Sequence, residues 1–229
     1  MTMTFILGGR YKDGVVLVAD KRITSINVVK SITFEYRQKI FGVLRHVLFA
    51  SSGSTDTFEL FRDSVIDQGS SRTDIRFDNV LVKLSEIVLG MNRQRGFRDE
   101  MLFDLLVGIQ YPDNKQSTLT HISAYGTKRE IVGYHTHGIG GVFIPHFPER
   151  SWHPEMTMDK VAALGYFCIK YIEDYKLHSA VGVGEGEPQI HFIPDNERDD
   201  SGEKPITMST ARLNLSYLQE LKGCYKKIQ

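Results

Sequence analysis

The stretch Thr4-Phe5-Ile6-Leu7-Gly8-Gly9-Arg10-Tyr11-Lys12-Asp13-Gly14-Val15-Val16-Leu17-Val18-Ala19-Asp20-Lys21-Arg22 decides how this chain is read. Two apolar, β-rich runs, 4–11 and 14–20, flank Lys12-Asp13-Gly14. An Asp-Gly step between such runs is a strong hairpin signal, because both residues tolerate the positive φ angles of tight turns. The second run, Val15 to Ala19, is apolar at every position, the pattern of a strand covered on both faces. It stops at the charged group Asp20-Lys21-Arg22.

Outward from this block the period of the pattern alternates. Residues 39–51 read as another hairpin, with Ile40 to Leu44 and Val47 to Ala50 broken by Arg45-His46. From Thr55, Phe58, Phe61, Val65 and Ile66 recur at helical spacing behind a Ser54 or Thr55 cap, and Gly69 is expected to stop the helix. From Asp78, Val80, Leu81, Leu84, Ile87, Val88 and Met91 form a second amphipathic helix. Strands are expected at 102–111, 118–124 and 130–134, a third helix after Thr157, further strands at 179–183 and 189–193, and a polar loop from 194 leading to a last helix at 210–221. No linker or repeat divides the chain, so residues 1–229 are read as one domain, with 194–229 its C-terminal loop and helix. Strands, paired helices, strands and helix again predict an α+β fold: two sheets face to face with helices on both outer faces, a four-layer αββα sandwich.

Composition narrows the function classes. Lys+Arg and Asp+Glu both number 28, so the net charge is zero and there is no cationic surplus for phosphate backbones or anionic membranes. No run approaches the roughly 20 apolar residues of a membrane helix, and the N-terminus lacks a basic flank before an apolar run. Cys168 and Cys224 make no disulfide framework or metal-spaced pair, which favours a reducing, cytoplasmic setting. Among the histidines, His135 and His137 sit two apart, with His146 and His153 following. No further ligand at regular spacing accompanies them, so no metal is expected, and the histidines are read as lining a loop or subunit contact.

The chemistry-bearing residues lie in 4–39. A threonine hydroxyl is a poor nucleophile, and one solution makes it the first residue, so that its own α-amine serves as base. A nearby lysine lowers that amine's pKa and an aspartate holds the lysine in place; Thr4, Lys39 and Asp20 are residues of those types. Taken singly, Asp20 is a turn residue, Lys39 a strand flank and Thr4 an ordinary β-branched strand residue.

Taken together, Thr4-Phe5-Ile6-Leu7-Gly8, Lys12 to Arg22, Gln38-Lys39-Ile40-Phe41, Ala50-Ser51-Ser52-Gly53 and Met156-Thr157-Met158-Asp159 resemble the proteasome β-subunit family, including its bacterial two-ring homologues. The resemblance is clearest over residues 4–70. That family places an aspartate sixteen positions after its terminal threonine, and here 20 − 4 = 16, which selects Thr4 over Thr2. The resemblance implies an N-terminal-nucleophile hydrolase sandwich and a threonine-type peptidase. Residues 1–3 become a short propeptide, Thr4 the nucleophile, Lys39 and Asp20 its supports, and Ala50 N–H an oxyanion donor. Ile23-Thr24-Ser25 and Ala50-Ser51-Ser52 become the walls that pair with an extended peptide, and Leu48 and Ser52 line a specificity pocket. Peptide or unfolded protein is the implied substrate, a ring-forming homo-oligomer the implied assembly, and no cofactor is required. Where active members carry Gly-Ser-Gly near the threonine, this chain has Gly138-Ile139-Gly140, and where they carry an aspartate and a serine three residues on, it has His178 and Val181. These replacements keep two alternatives open: a silent structural ring subunit, and a peptide ligase passing the acyl group to an amine.

Overall fold

The computed structural model describes residues 4–26, 32–44, 46–71, 79–97, 102–111, 116–177, 187–195, 206–207, 213 and 215–225. Residues 1–3, the strand expected at 179–183, His178 and Val181, and most of the 194–214 segment lie outside them.

The opening block folds as its sequence demands. Strands β1 (Ile6–Tyr11) and β2 (Gly14–Ala19) pair antiparallel, Ile6 opposite Ala19 through Tyr11 opposite Gly14. A Cβ on Gly14 would lie 2.3 Å from the Ile193 carbonyl oxygen, so only glycine fits this corner. Next come β3 (Arg22–Ile26), β4 (Ile32–Tyr36), β5 (Ile40–Leu44), β6 (Val47–Gly53), helices α1 (Thr55–Ser71) and α2 (Val80–Gln94), and β7 (Phe103–Gln110), β8 (Ser117–Ile122), β9 (Lys128–Ile131) and β10 (Tyr134–His137). Short helices α3 (Gly140–Phe143) and α4 (His146–Ser151) lead into α5 (Met158–Asp174), β11 (Gln189–Pro194), β12 (Ile206–Thr207) and α6 (Leu215–Tyr225).

Among the described residues the strands make a first sheet in the order β10-β1-β2-β11-β12, a second in the order β5-β6-β7-β8-β9, and a separate hairpin β3-β4. Three apolar layers show how they stack. Alternate residues of β2 face opposite ways. Val15, Leu17 and Ala19 meet Ile40, Leu48, Ala50, Leu106 and Leu119 between the two sheets. Val16 and Val18 instead pack on Val161, Leu164, Phe167 and Cys168 of α5. On the outer side of the second sheet, Val47, Phe49, Leu105 and Val107 cover Phe58, Phe61, Leu84 and Val88 of α1 and α2. The expected four-layer αββα sandwich is the observed one. Burying an aliphatic side chain of β2 on either face contributes roughly 1.5–3 kcal/mol, which explains why alternation is absent from its sequence. Gly165 lets α5 come close to β2, since a Cβ there would be 2.7 Å from Val18 Cβ.

Four local expectations change. Residues 22–36 carry an unforeseen hairpin, Arg22 opposite Tyr36 through Ile26 opposite Ile32. The single strand expected at 130–134 is divided between sheets: β9 ends at Ile131, buried in the inter-sheet core, Val132 is exposed, and Gly133 passes under Trp152 as the chain crosses to β10. Helix α1 runs through Gly69 to Ser71, because a glycine in a helix costs only about 1 kcal/mol and does not by itself end it. Helix α6 extends to Tyr225, past Leu221. Among the described residues no helix is long and apolar enough to cross a membrane.

Candidate active site

The β1–β2 hairpin brings Thr4 and Asp20 together at one end of the first sheet. Asp20 N–H donates to Phe5 O at 3.1 Å, and Phe5 N–H donates back to Asp20 Oδ1 at 2.8 Å. The same carboxylate oxygen accepts from Thr4 Oγ1 at 2.7 Å. Lys39 arrives from the start of β5, in the other sheet. Its Nζ donates to Thr4 Oγ1 at 2.5 Å, to Asp20 Oδ1 at 2.7 Å and to Arg22 O at 2.7 Å. An ammonium has three donors, and these are three acceptors arranged around it. Thr4, Asp20 and Lys39 are all buried, Asp20 completely. Burial pushes the Lys39 pKa below the usual lysine value; the charge and hydrogen bond of Asp20 work against that fall, and Arg22 adds slightly to it.

A glycine completes the wall around the threonine. Gly138, at φ +82°, sits where a Cβ would be 2.3 Å from Thr4 O and 2.7 Å from Thr4 Cγ2. Gly140 N–H then donates to Thr4 O at 3.1 Å, with Ile139 between the two glycines at the start of α3.

Strand β6 forms the facing wall, with two differences from expectation. Ser51 N–H donates to Lys39 O at 3.4 Å and Ser54 N–H to Leu102 O at 2.9 Å. Counting back along the strand, Ala50 N–H therefore points away from Lys39 into the ladder with Leu106, its partner in β7. Ser51, one residue on from the expected Ala50, is the residue whose N–H faces the lysine side. Leu48 lies fully buried between the sheets, packed in the core with Ala50 and Leu106, so it does not line an open pocket. β5 begins at Ile40, opposite Ala50, and leaves the β5 side of Ser51 to Gly53 without a strand partner among the described residues. Ile23, Thr24 and Ser25 lie on β3, whose partner among the described residues is β4 alone.

With this geometry in hand, comparison with known proteins gives concordant answers. A family model described as proteasome subunit matches residues 2–183. The chain belongs to the proteasome subunit family. A proteasome subunit beta of Nanoarchaeum equitans (strain Kin4-M) is 26% identical over 184 residues, covering 79% of this chain and 90% of that protein. Among solved structures, Anbu (ancestral beta-subunit) from Yersinia bercovieri superposes with a TM-score of 0.72 at 16% identity, covering 98% of this chain and 94% of the other, a likeness of fold.

Two further features of this proteasome-family chain go beyond the sequence reading, through Gln189 and His121. Gln189, at the start of β11, accepts from Lys39 N–H at 2.5 Å and from Ile40 N–H at 3.3 Å, fixing the backbone that carries the lysine. No local motif marks it, since it lies 150 positions downstream. Arg22, whose carbonyl receives Lys39 Nζ, is tied to Glu173 of α5 by a 3.1 Å ion pair. The second feature is a histidine cluster beside the site. His137 faces Ile6 across the β1–β10 ladder, and two residues of strand, about 7 Å, separate Ile6 from Thr4. His137 Nε2 lies 2.5 Å from Asp104 Oδ1, His121 Nε2 lies 3.4 Å from Asp104 Oδ2, and Ser52 Oγ donates to Asp104 Oδ1 at 3.2 Å. Burial opposes ionisation of Asp104, but the two histidines outweigh it and hold the carboxyl well below the usual carboxylate range. His135 completes a triangle of rings, its pKa pushed down to about 4 mainly by burial and then by the neighbouring His121 and His137. The third histidine comes from β8 of the other sheet, not from His146, which packs on Phe147, nor from His153.

Proposed function

We propose that this chain is a threonine-type peptidase acting on peptide or unfolded protein inside a ring of proteasome-like subunits, in a cytoplasmic setting and with no cofactor. The observation that carries the reading is the Lys39 ammonium held between the Thr4 hydroxyl and the Asp20 carboxylate. Removal of residues 1–3 would turn the Thr4 amide nitrogen into an α-amine, the base the hydroxyl lacks. Thr4 Oγ then attacks the scissile carbonyl carbon as the amine takes its proton, directly or through water. The adjacent Lys39 charge favours the alkoxide and keeps the amine unprotonated, while Asp20 holds the lysine. Ser51 N–H, held in the resting site only by a long 3.4 Å contact with Lys39 O, leaves that carbonyl and donates to the oxyanion that forms on the substrate carbonyl oxygen. Collapse of the intermediate transfers the amine's proton to the leaving nitrogen and leaves an ester on Thr4, which water hydrolyses. The open edges of β3 and of Ser51–Gly53 receive the substrate backbone as an added strand.

Thr4 is only 3% exposed, and Ile139 stands where a hydroxyl would help; these observations favour a second reading, a silent ring subunit that is never processed. Incubating the purified protein with unfolded polypeptide separates them. Cleavage that disappears in Thr4→Ala and falls at least a hundredfold in Lys39→Ala supports the peptidase. A stable ring in which Thr4→Ala changes nothing supports the silent subunit.

A further inference from the structure

Among the described residues, the histidine triangle is a polar cluster outside the proposed nucleophile that the peptidase reading does not use. It stands apart from the peptidase reading, because none of its members contacts Thr4, Asp20 or Lys39 in the hydrogen bonds described above. His121 belongs to β8 of the second sheet, while His135 and His137 belong to β10 of the first. Two apart on an extended strand, His135 and His137 share a face, and that face meets His121 across the gap between the sheets. One nitrogen from each ring lies within 4.8 Å of the other two. Nε2 of His135 is buried with no hydrogen-bond partner among the described residues. An imidazole nitrogen shut away from water in this manner forgoes a hydrogen bond unless something else occupies its lone pair.

We propose that His121, His135 and His137 form a three-imidazole binding site for a first-row divalent transition metal of the zinc class, clamped between the two sheets. Tetrahedral zinc with Zn–N bonds of about 2.0–2.1 Å places its nitrogens roughly 3.3 Å apart, so closure asks each ring to move by about an ångström. Three neutral nitrogens select borderline metals over magnesium and calcium, which require oxygen ligands. Asp104 is the outer carboxylate of the site. It already holds His137 and His121, and carboxylates in that position orient ligating imidazoles and supply counter-charge. Ser52 in turn donates to Asp104, which links the site to the proposed substrate edge at Ser51–Gly53. The fourth position is left to water. In sequence His135 and His137 offer only two ligands, and folding supplies the third from another sheet.

The test uses the full chain, stripped with chelator and titrated with zinc chloride or cobalt chloride. Elemental analysis after gel filtration should find one zinc per chain, cobalt should give the visible bands of a tetrahedral nitrogen site, and saturating zinc should raise the melting temperature where magnesium does not. His135→Ala removes a ring whose Nε2 makes no hydrogen bond among the described residues, so the metal-free variant should melt within a few degrees of wild type while zinc affinity falls at least a hundredfold. Asp104→Asn should weaken binding about 10–100-fold without changing stoichiometry, and His146→Ala should leave it unchanged. Less than one zinc per chain in the wild type, no tetrahedral cobalt spectrum, or undiminished binding in His135→Ala would overturn the assignment and leave the cluster a hydrogen-bonded tie between sheets. Should His135→Ala fail to fold, the wild-type stoichiometry and cobalt spectrum still decide.

Discussion

Replacing Lys39 by methionine keeps most of the side-chain volume and removes the charge that ties the two sheets at the proposed nucleophile. Asp20 is fully buried, and its Oδ1 receives Thr4 Oγ1, Phe5 N–H and Lys39 Nζ. Without the ammonium, a buried carboxylate is left with neutral donors at that oxygen. Removing one partner of a buried pair costs about 3–5 kcal/mol, because the charge that stays behind is uncompensated. For a chain of this size each kcal/mol lowers the melting temperature by about 2–4 °C, so Lys39→Met should melt about 6–20 °C below wild type. Asp20→Asn should be similarly harmful, since it leaves the lysine unpaired. The double variant Asp20→Asn/Lys39→Met removes both charges and should lose at least about 2 kcal/mol less than the two single losses added together. Thermal and guanidinium unfolding of the four proteins measures this cycle. A Lys39→Met protein melting within a degree of wild type, or single effects that simply add, would refute the buried pair on which the site is built.

Other perturbations test separate parts of the structure. Gly138→Ala puts a Cβ 2.3 Å from Thr4 O at a φ of +82°, so it should cost about 1–3 kcal/mol in unfolding experiments and displace Thr4, lowering peptide turnover as well. Asn92, fully buried in α2, donates to Phe103 O and Ala124 O at 2.9 Å each and accepts from Phe103 N–H at 3.2 Å; Asn92→Ala should lose about 3 kcal/mol in the same assay. Burial lowers the His191 pKa from 6.5 to about 4, so the native imidazole stays neutral while the unfolded one takes up a proton below about pH 6.5. The stability this provides is therefore complete above that pH and lost as pH falls toward 4, about 2 kcal/mol by pH 5. Urea midpoints at pH 7.5 and pH 5 should differ more for wild type than for His191→Gln.

The parts of this fold that could be read from sequence were those encoded locally. Lys12-Asp13-Gly14 specified a turn, five successive apolar residues specified a strand covered twice, and the interval from Thr4 to Asp20 placed both at the same end of one hairpin. Lys39 is legible because it precedes a recognisable apolar strand. What escaped depends on register or on distant partners. Whether Ala50 or Ser51 turns its N–H toward the lysine is a matter of strand phase, which the residue types do not encode. Leu48 reads equally well as pocket or core, and the pairing of β6 with β7 decides for core. Gln189 and His121 act through contacts across the sheets, and nothing in their neighbouring residues announces a role. The split of 130–134 into two strands turns on a single exposed valine, Val132, whose apolar character reads in the sequence as continuity.

The most direct test of the central proposal is the intact mass of the purified protein, before and after treatment with an electrophile directed at N-terminal threonine. A working nucleophile predicts a chain that begins at Thr4 and gains a single adduct on that residue, with neither adduct nor cleavage activity in Thr4→Ala. A mass that still includes Thr2 and Met3, with no adduct formed, would contradict it.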